Sequence, residues 1–306
     1  MLNYTDIDVL NPFKHNDINT FDVLKFRDSL SERITINSSV ERKYQVVILA
    51  AGKGTRMQVN YPKMIYQLEY PNGKSSVLNN TLKMIDNLKT SVDIYKTHIV
   101  INEKDTSYYD ELDSSINIIT LHESDIRGTA VCINSIKKFL DSKKDIIFIW
   151  GDLALWRASD LNLAIKTQEL FGSSISFPTR LSPNPYVAFL RSSEGKFTKV
   201  VHSNETNNWE GFAEQDCLSF VCKYESLSRL NNFINKYLSE DKLNKFEVDF
   251  IHYLPFLANE GEVVIGIPIV EIGLIFGLNT VERAKEINDV LSKYSKKEYN
   301  HYFGFK

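Results

Sequence analysis

The residues best placed to do chemistry lie in Leu49-Ala50-Ala51-Gly52-Lys53-Gly54-Thr55-Arg56-Met57. An apolar run delivers the chain to a turn in which Gly52 and Gly54 can adopt positive φ. Bare backbone N–H groups can then face an anion. Ala50 and Ala51 keep the approach narrow, so a flat base and a triphosphate fit against main chain. Leu49 closes the strand, Thr55 adds a hydroxyl, and Lys53 and Arg56 add positive charge. Pro62-Lys63-Met64 follows a few residues later, where a proline stiffens the chain just before a lysine and aims a flexible cation. The chemistry these groups suit is the handling of phosphates.

Other sites are excluded by spacing. The G-x-x-x-x-G-K-[ST] pattern of a P-loop is absent, and so is the third glycine of the dinucleotide fingerprint. The six histidines are scattered, with no H-E-x-x-H pair. Cys132, Cys217 and Cys222 form neither a C-x-x-C pair nor an even set for a disulfide framework. Buried thiols in a reducing compartment are expected, and with them a cytoplasmic location.

The elements that must position the turn alternate between apolar runs and helical periods. Val46–Ala51, His98–Ile101, Ile116–Leu121 and Ile146–Trp150 are expected as buried strands, with helices over Ser76–Leu88 and Thr129–Leu140. Strands apolar on both faces, separated by helices, imply a parallel sheet covered on both sides. Right-handed crossovers make that an α/β, Rossmann-like, doubly wound layout. The second half changes character. Tyr186–Arg191 and Thr198–His202 suggest a hairpin, Cys217–Cys222 a strand and Leu227–Leu238 a helix. Val263–Ile269 and Ile272–Phe276 are expected as late strands before a helix at Val281–Leu291. The organisation expected is an N-terminal extension over 1–43, one α/β domain with a mixed α+β half over 44–293, and a tail over 294–306. Phe21, Leu24, Phe26 and Leu30 give the extension a short apolar pattern of its own, and no internal repeat is visible.

Composition narrows the function further. The 306 residues are 43% hydrophobic and 25% charged, enough apolar material for a sizeable core and too much for disorder. A formal charge of −3 offers no basic field for a phosphate backbone, so nucleic acid is not an expected partner. No apolar run reaches the roughly 20 residues that span a bilayer, and the N-terminus lacks the basic start and apolar core of a secretory signal.

The compound motif of an apolar strand, L-A-A-G-K-G-T-R-M and then Y-P-K-M resembles the L-x-x-G-x-G-T-R-(x)n-P-K signature of sugar-1-phosphate nucleotidyltransferases. The likeness is greatest to the uridylyltransferase domain of N-acetylglucosamine-1-phosphate uridylyltransferases. Molybdenum-cofactor nucleotidyl transfer shares the opening motif, but the later turns fit the sugar family better. Arg127-Gly128-Thr129-Ala130 is similar to the family's G-T-A turn, which implies that Gly128 and Thr129 approach base and ribose. Gly151-Asp152 resembles the G-D that supplies a carboxylate to Mg²⁺. Gly277-Leu278-Asn279-Thr280 resembles the turn whose asparagine completes that metal site. On the residues alone, the lesser reading of Asp152 is a cap on the next turn, and Asn279 could N-cap its own helix. The resemblance runs from about Tyr44 to Leu291 and is thin from Thr179 to Asp249.

The resemblance also has departures. His202 stands where the family has a sugar-holding glutamate, and Val187 where it has a glycine. Glu214-Gln215-Asp216-Cys217-Leu218 replaces E-x-N-T-G, Glu123 replaces a base-reading glutamine, and Asp249 lies in F-E-V-D-F at an acidic position near the sugar subsite. Val187, His202, Asp216 and Asp249 therefore mark an unusual acceptor end. The implied reaction is attack of an acceptor phosphate on the α-phosphorus of UTP or CTP, with pyrophosphate leaving. Arg56 and Lys63 would compensate charge, and Mg²⁺ would sit on Asp152 and Asn279. A sugar 1-phosphate for surface polysaccharide synthesis is the expected acceptor. A cytidylyl acceptor such as an alcohol or choline phosphate is the alternative, and a homo-oligomer stays open. The acyltransferase β-helix of bifunctional members is not expected in this chain.

Overall fold

The computed structural model describes residues 43–52, 54–182, 185–192, 195–202, 213–240, 247–268 and 277–304. The expected apolar pattern over 21–30, the strand over 272–276 and Lys53 lie outside these residues.

Four parallel strands form one half of a ten-stranded sheet: β5 (Ile116–Leu121), β4 (Ile94–Asn102), β1 (Tyr44–Leu49) and β6 (Asp145–Trp150), in that spatial order. The chain leaves β1 towards β4 and β5, then returns to β6 on the other side of β1. A crevice opens at the carboxyl ends of β1 and β6, where such a reversal places ligands. Leu49 and Trp150, the last residues of these two strands, are register partners there.

Side-chain alternation along the strands feeds two cores. Val46, Ile48, Ile99, Ile101, Ile147 and Ile149 face one cluster, while Val47, Val100, Ile146 and Phe148 face the other. Helices α1 (Val77–Leu88), α3 (Ala158–Phe171), α6 (Val281–Leu291) and α7 (Lys296–Phe303) bury apolar residues in the first cluster. Helices α2 (Thr129–Ile136), α4 (Leu230–Glu240) and α5 (Tyr253–Asn259) contribute to the second. Within the expected tail, α7 starts with a capping box between Ser295 and Glu298, and its Tyr299 and Phe303 are buried. Arg157 ties that helix down, donating to both carboxylate oxygens of Asp160 and to the Tyr302 hydroxyl.

The other half of the sheet is mixed. Strand β7 (Ile175–Ser182) pairs antiparallel with β11 (Ser219–Cys222) and β10 (Ala213–Asp216), and parallel with β12 (Val264–Pro268). Strand β11 continues the sheet from β6, and the hairpin β8 (Val187–Arg191) and β9 (Phe197–His202) closes the far edge through β10. A small hairpin, β2 (Gln67–Tyr70) with β3 (Gly73–Ser76), stands apart.

Several boundaries differ from expectation. Strand β1 stops at Leu49, two residues early, because the chain then bends into the glycine turn. Helix α2 ends at Ile136 and tightens into a 3₁₀ turn over Lys137–Phe139. Buried Gln45 draws the following loop in, donating to the Asp141 and Lys144 carbonyls and accepting from the Asp141 amide. Leu227–Leu238 is a 3₁₀ turn over Tyr224–Arg229 followed by α4. Cys217–Cys222 is not one strand: Cys217 and Leu218 turn the chain from β10 into β11, and Leu218 takes a φ of 57°. The three cysteines are free and buried, as expected.

Candidate active site

The glycine turn leaves the carboxyl end of β1 as a short 3₁₀ element, Thr55–Met57, begun by Gly54 at φ 58°, a left-handed conformation suited to glycine. Met57 and Met64 are fully buried and anchor the turn and the Pro62-Lys63-Met64 segment. The stem of Lys63 passes over Gly54, its Cβ and Cγ 3.6 Å from where a Gly54 Cβ would stand. Gly151 is the complementary close approach. A Cβ there would lie 2.6 Å from the Met64 sulfur and 2.7 Å from the Leu49 carbonyl oxygen. The bare backbone of Gly151 thus sets Asp152 beside Lys63.

Lys63 donates to Asp152 Oδ2 at 2.7 Å and to Asn279 Oδ1 at 3.2 Å, with the Lys63 and Asp152 side chains 18% and 13% exposed. The turn carrying Asn279 is held to the sheet edge. The Leu278 amide donates to the Asp152 carbonyl at 2.7 Å, and Gly277 bridges Leu153. Thr280, not Asn279, caps α6 by accepting the Arg283 amide, which leaves the Asn279 side chain for the site. The Asp152 carboxylate likewise faces Lys63 rather than capping a turn.

A cavity of about 780 Å³ collects these groups. Leu49, Ala51, Gly52, Gly54, Thr55, Arg56 and Lys63 line it from β1 and the turn. Asp152 and Asn279 line it too, as do Glu123, Gly128 and Thr129 with Asp249 beside them, and Val187, His202 and Asp216 from the mixed half of the sheet. Ala50 is the exception among the described site residues: it is buried in the first core cluster and does not face the cavity.

The Gly128 wall is held by backbone. Gly128 sits at φ 90°, and a Cβ there would lie 2.4 Å from the Val248 nitrogen. Val248 donates its amide to the Arg127 carbonyl and accepts from the Ala130 amide. The Thr129 hydroxyl lies 3.3 Å from Asp249 Oδ1 and accepts the Phe250 amide at 2.7 Å. Glu123 pairs with Lys104 at 2.6 Å.

His202 Nε2 is 3.1 Å from His252 Nε2, and the Tyr186 ring meets His202 edge-on. Asp216 is 4% exposed and accepts the Leu218 amide. Burial pushes its carboxyl up to about 6, against the lowering effects of that amide and of Arg180.

Residues that the motifs did not single out also line the cavity, among them Trp150, Tyr186, Glu247 and Ile251. Trp150 precedes Gly151-Asp152, and Glu247 and Ile251 alternate with Asp249, so their positions were inferable. The partnership of His202 with His252, 50 residues away, has no local signal.

Asp152 and Asn279 present two hard oxygen donors to one point, a donor set suited to Mg²⁺, which takes few protein ligands and completes its shell with water and phosphate. Among the described residues no group of three His, Cys, Asp or Glu side chains forms an all-protein metal cage. No helix among them is long and apolar enough to cross a membrane.

Comparison with known proteins agrees with this geometry. Residues 44–168 match the family model of 2-C-methyl-D-erythritol 4-phosphate cytidylyltransferase, IspD. The bifunctional protein GlmU of Buchnera aphidicola subsp. Schizaphis graminum is 27% identical over 277 residues, covering 86% of this chain and 56% of that protein. GlmU of Clostridium acetobutylicum is 27% identical over 259 residues, covering 81% and 52% respectively. The chain thus spans about half the length of these curated relatives. In fold it is similar to the inositol-1-phosphate CTP transferase from T. maritima, with TM-score 0.58, 14% identity, and coverage of 84% of this chain and 97% of that one. It is also similar to a putative glucose-1-phosphate thymidylyltransferase from Bacillus anthracis, with TM-score 0.61, 12% identity, and coverage of 84% and 99%. The strand–turn–lysine motif, the Rossmann-like sheet and these matches agree in making the chain similar to nucleotidyltransferases, GlmU among them.

Proposed function

We infer that the chain couples a nucleoside triphosphate, UTP or CTP, to a small phosphorylated acceptor and releases pyrophosphate. The observation that carries this reading is the single cavity shared by Gly52, Gly54, Arg56, Lys63, Asp152 and Asn279 at the carboxyl edge of β1 and β6. Both reactants are anions, so the difficulty is repulsion and alignment rather than bond activation. An acceptor phosphate is already ionised near neutral pH and needs no general base.

The roles follow from position. The backbone of Gly52 and Gly54 cradles the triphosphate. Arg56 offsets charge on the departing pyrophosphate, and Lys63 holds the α-phosphate and the acceptor phosphate together. Asp152 and Asn279 would hold Mg²⁺, which when bound supplies charge neutralisation at the phosphates. Gly128 and Thr129 face base and ribose, with Glu123 beside them, while Val187, His202, Asp216 and Asp249 face the acceptor. A sugar 1-phosphate, supplying an activated sugar for surface polysaccharide, is the favoured acceptor.

A second reading, a cytidylyltransferase acting on an alcohol or choline phosphate, is favoured by Val187 and Leu218. Both are aliphatic side chains on the cavity wall at positions where the sugar family has glycines. The test is pyrophosphate release for four nucleoside triphosphates against sugar 1-phosphates, glycerol phosphate and phosphocholine. Turnover with a sugar 1-phosphate supports the first reading and turnover with phosphocholine or glycerol phosphate the second. No release from any pair overturns both. Lys63→Ala is expected to lower turnover by about 10²–10³ with the fold intact; near-normal turnover would remove its role.

A further inference from the structure

Two oxygen donors that suit a divalent cation already have a cation between them. The Lys63 ammonium lies 2.7 Å from Asp152 Oδ2 and 3.2 Å from Asn279 Oδ1. This is not a loose surface contact. Lys63 and Asp152 are 18% and 13% exposed, the lysine stem lies on Gly54, and the next residue, Met64, is buried against Gly151. The turn bearing Asn279 is pinned to Asp152 by the Leu278 amide. Each group that would ligate a metal is therefore held in register with the lysine.

We propose that Lys63 serves as the site's own counter-ion in the nucleotide-free protein, occupying the place of the divalent cation and making metal entry depend on nucleotide. The proposal rests on the reading above for what the place is used for, and it adds a second role for Lys63. A carboxylate removed from bulk water needs a positive partner, and a tethered ammonium meets that need without a diffusing ion. An ammonium lying between Asp152 Oδ2 and Asn279 Oδ1 stands where a divalent ion bridging those two oxygens would stand, so the two compete for the place. Metal binding to the free protein is accordingly weakened by the fraction of time that Lys63 is in place. A triphosphate offers Lys63 alternative oxygens of higher charge; once the lysine moves to them, Asp152 and Asn279 are released to the metal. The coupling is reciprocal, so whatever draws Lys63 away tightens metal binding by the same factor. Arg56 lines the same cavity and makes no ion pair with Asp152 among the described residues, so it contributes only to the general field.

The test is titration of the full chain with Mn²⁺ alone, followed by electron paramagnetic resonance, with no nucleotide and no acceptor present. Thermal unfolding confirms that each variant is folded, and Lys63→Gln stands in should Lys63→Met fail to fold. Lys63→Met is expected to bind Mn²⁺ at least about tenfold more tightly than the unaltered chain. Adding Asp152→Asn to that variant is expected to abolish the gain, while Arg56→Gln changes affinity less than threefold. Equal affinity in the unaltered chain and the Lys63 variants overturns the proposal. So does a gain that survives Asp152→Asn, or one reproduced by Arg56→Gln. Absence of pyrophosphate release would remove the proposed reaction while leaving this competition standing, and equal Mn²⁺ affinity would do the reverse.

Discussion

The Asp216 carboxylate accepts the amide hydrogen of Leu218 at 3.0 Å, and Leu218 stands at φ 57°. A side chain in the left-handed region costs about 1–2 kcal/mol relative to the right-handed one, a cost glycine does not bear. The turn tolerates it because both ends are tied: the Leu218 carbonyl accepts the Trp150 amide at 2.9 Å, and the Cys217 amide donates to Pro178. Leu218→Gly removes the backbone strain together with a half-buried side chain, and the two effects offset. Its melting temperature is expected within a few degrees of the unaltered chain. Leu218→Val keeps a β-branched residue at positive φ and is expected to be less stable by about 1–2 kcal/mol. Chemical denaturation of both variants decides it; a large loss in the glycine variant would show that packing, not strain, dominates the turn.

Asp216 itself carries a pH dependence. Its carboxyl is raised by burial from 3.8 to about 6, so the folded state holds that proton more tightly than the unfolded chain does. The stability this contributes is fully present below pH 3.8 and is lost as pH rises through 6. Asp216→Asn removes the cost of ionising a buried group while keeping an oxygen for the Leu218 amide. It is expected to stabilise the fold by up to roughly 3 kcal/mol at pH 7–8, the advantage shrinking towards zero near pH 4. Denaturant unfolding of both forms across pH 4–8 measures the difference. An advantage that does not change with pH would mean the carboxyl titrates normally.

The parallel half was legible because its physics is local. Both-face-buried strands such as Ile146–Trp150 appear as unbroken apolar runs, and Ile116–Leu121 and Val281–Leu291 fall at their expected bounds. Strand β7 was not legible, since Ile175–Ser182 contains Pro178 and several hydroxyl residues. The proline is accommodated where one antiparallel neighbour ends and the next begins. Strand β11 pairs at Ile175 and Ser176, and β10 takes over at Thr179. Helix α3 was hidden for a similar reason, burying Thr167 and Gln168 in place of a clean apolar stripe. In the site, the Gly52–Arg56 turn, Lys63, Asp152 and Asn279 carry their signal in type and spacing. Leu218 and the His202–His252 pair depend on contacts that the tertiary fold alone creates.

Gly151 offers a test of how the sheet edge positions Asp152. A methyl group at this position meets the Met64 sulfur at 2.6 Å and the Leu49 carbonyl oxygen at 2.7 Å. A flexible thioether can move aside, but the carbonyl belongs to β1 and accepts the Gly151 amide at 2.8 Å. Gly151→Ala is therefore expected to cost about 1–3 kcal/mol. Met64→Ala in the same chain is expected not to recover it, because the backbone clash remains. Recovery in the double variant would place the constraint on Met64 instead.

Arg56 separates chemistry from stability. Its side chain is exposed, lines the cavity and makes no ion pair among the described residues, whereas Lys63 is tied to Asp152 and Asn279. Removing a solvent-facing charge with no partner leaves the fold within about 0.5 kcal/mol. A cation aimed at the charge on departing pyrophosphate is worth far more in the transition state, about 10²–10³ in rate. Arg56→Ala is thus expected to melt with the unaltered chain while losing most of its kcat. Arg56→Lys, which keeps the charge but not the planar fork, is expected to recover part of it. The measurement is steady-state pyrophosphate release beside thermal unfolding. Equal turnover in the alanine variant would remove Arg56 from the reaction, and a matching loss of melting temperature would reassign it to the fold.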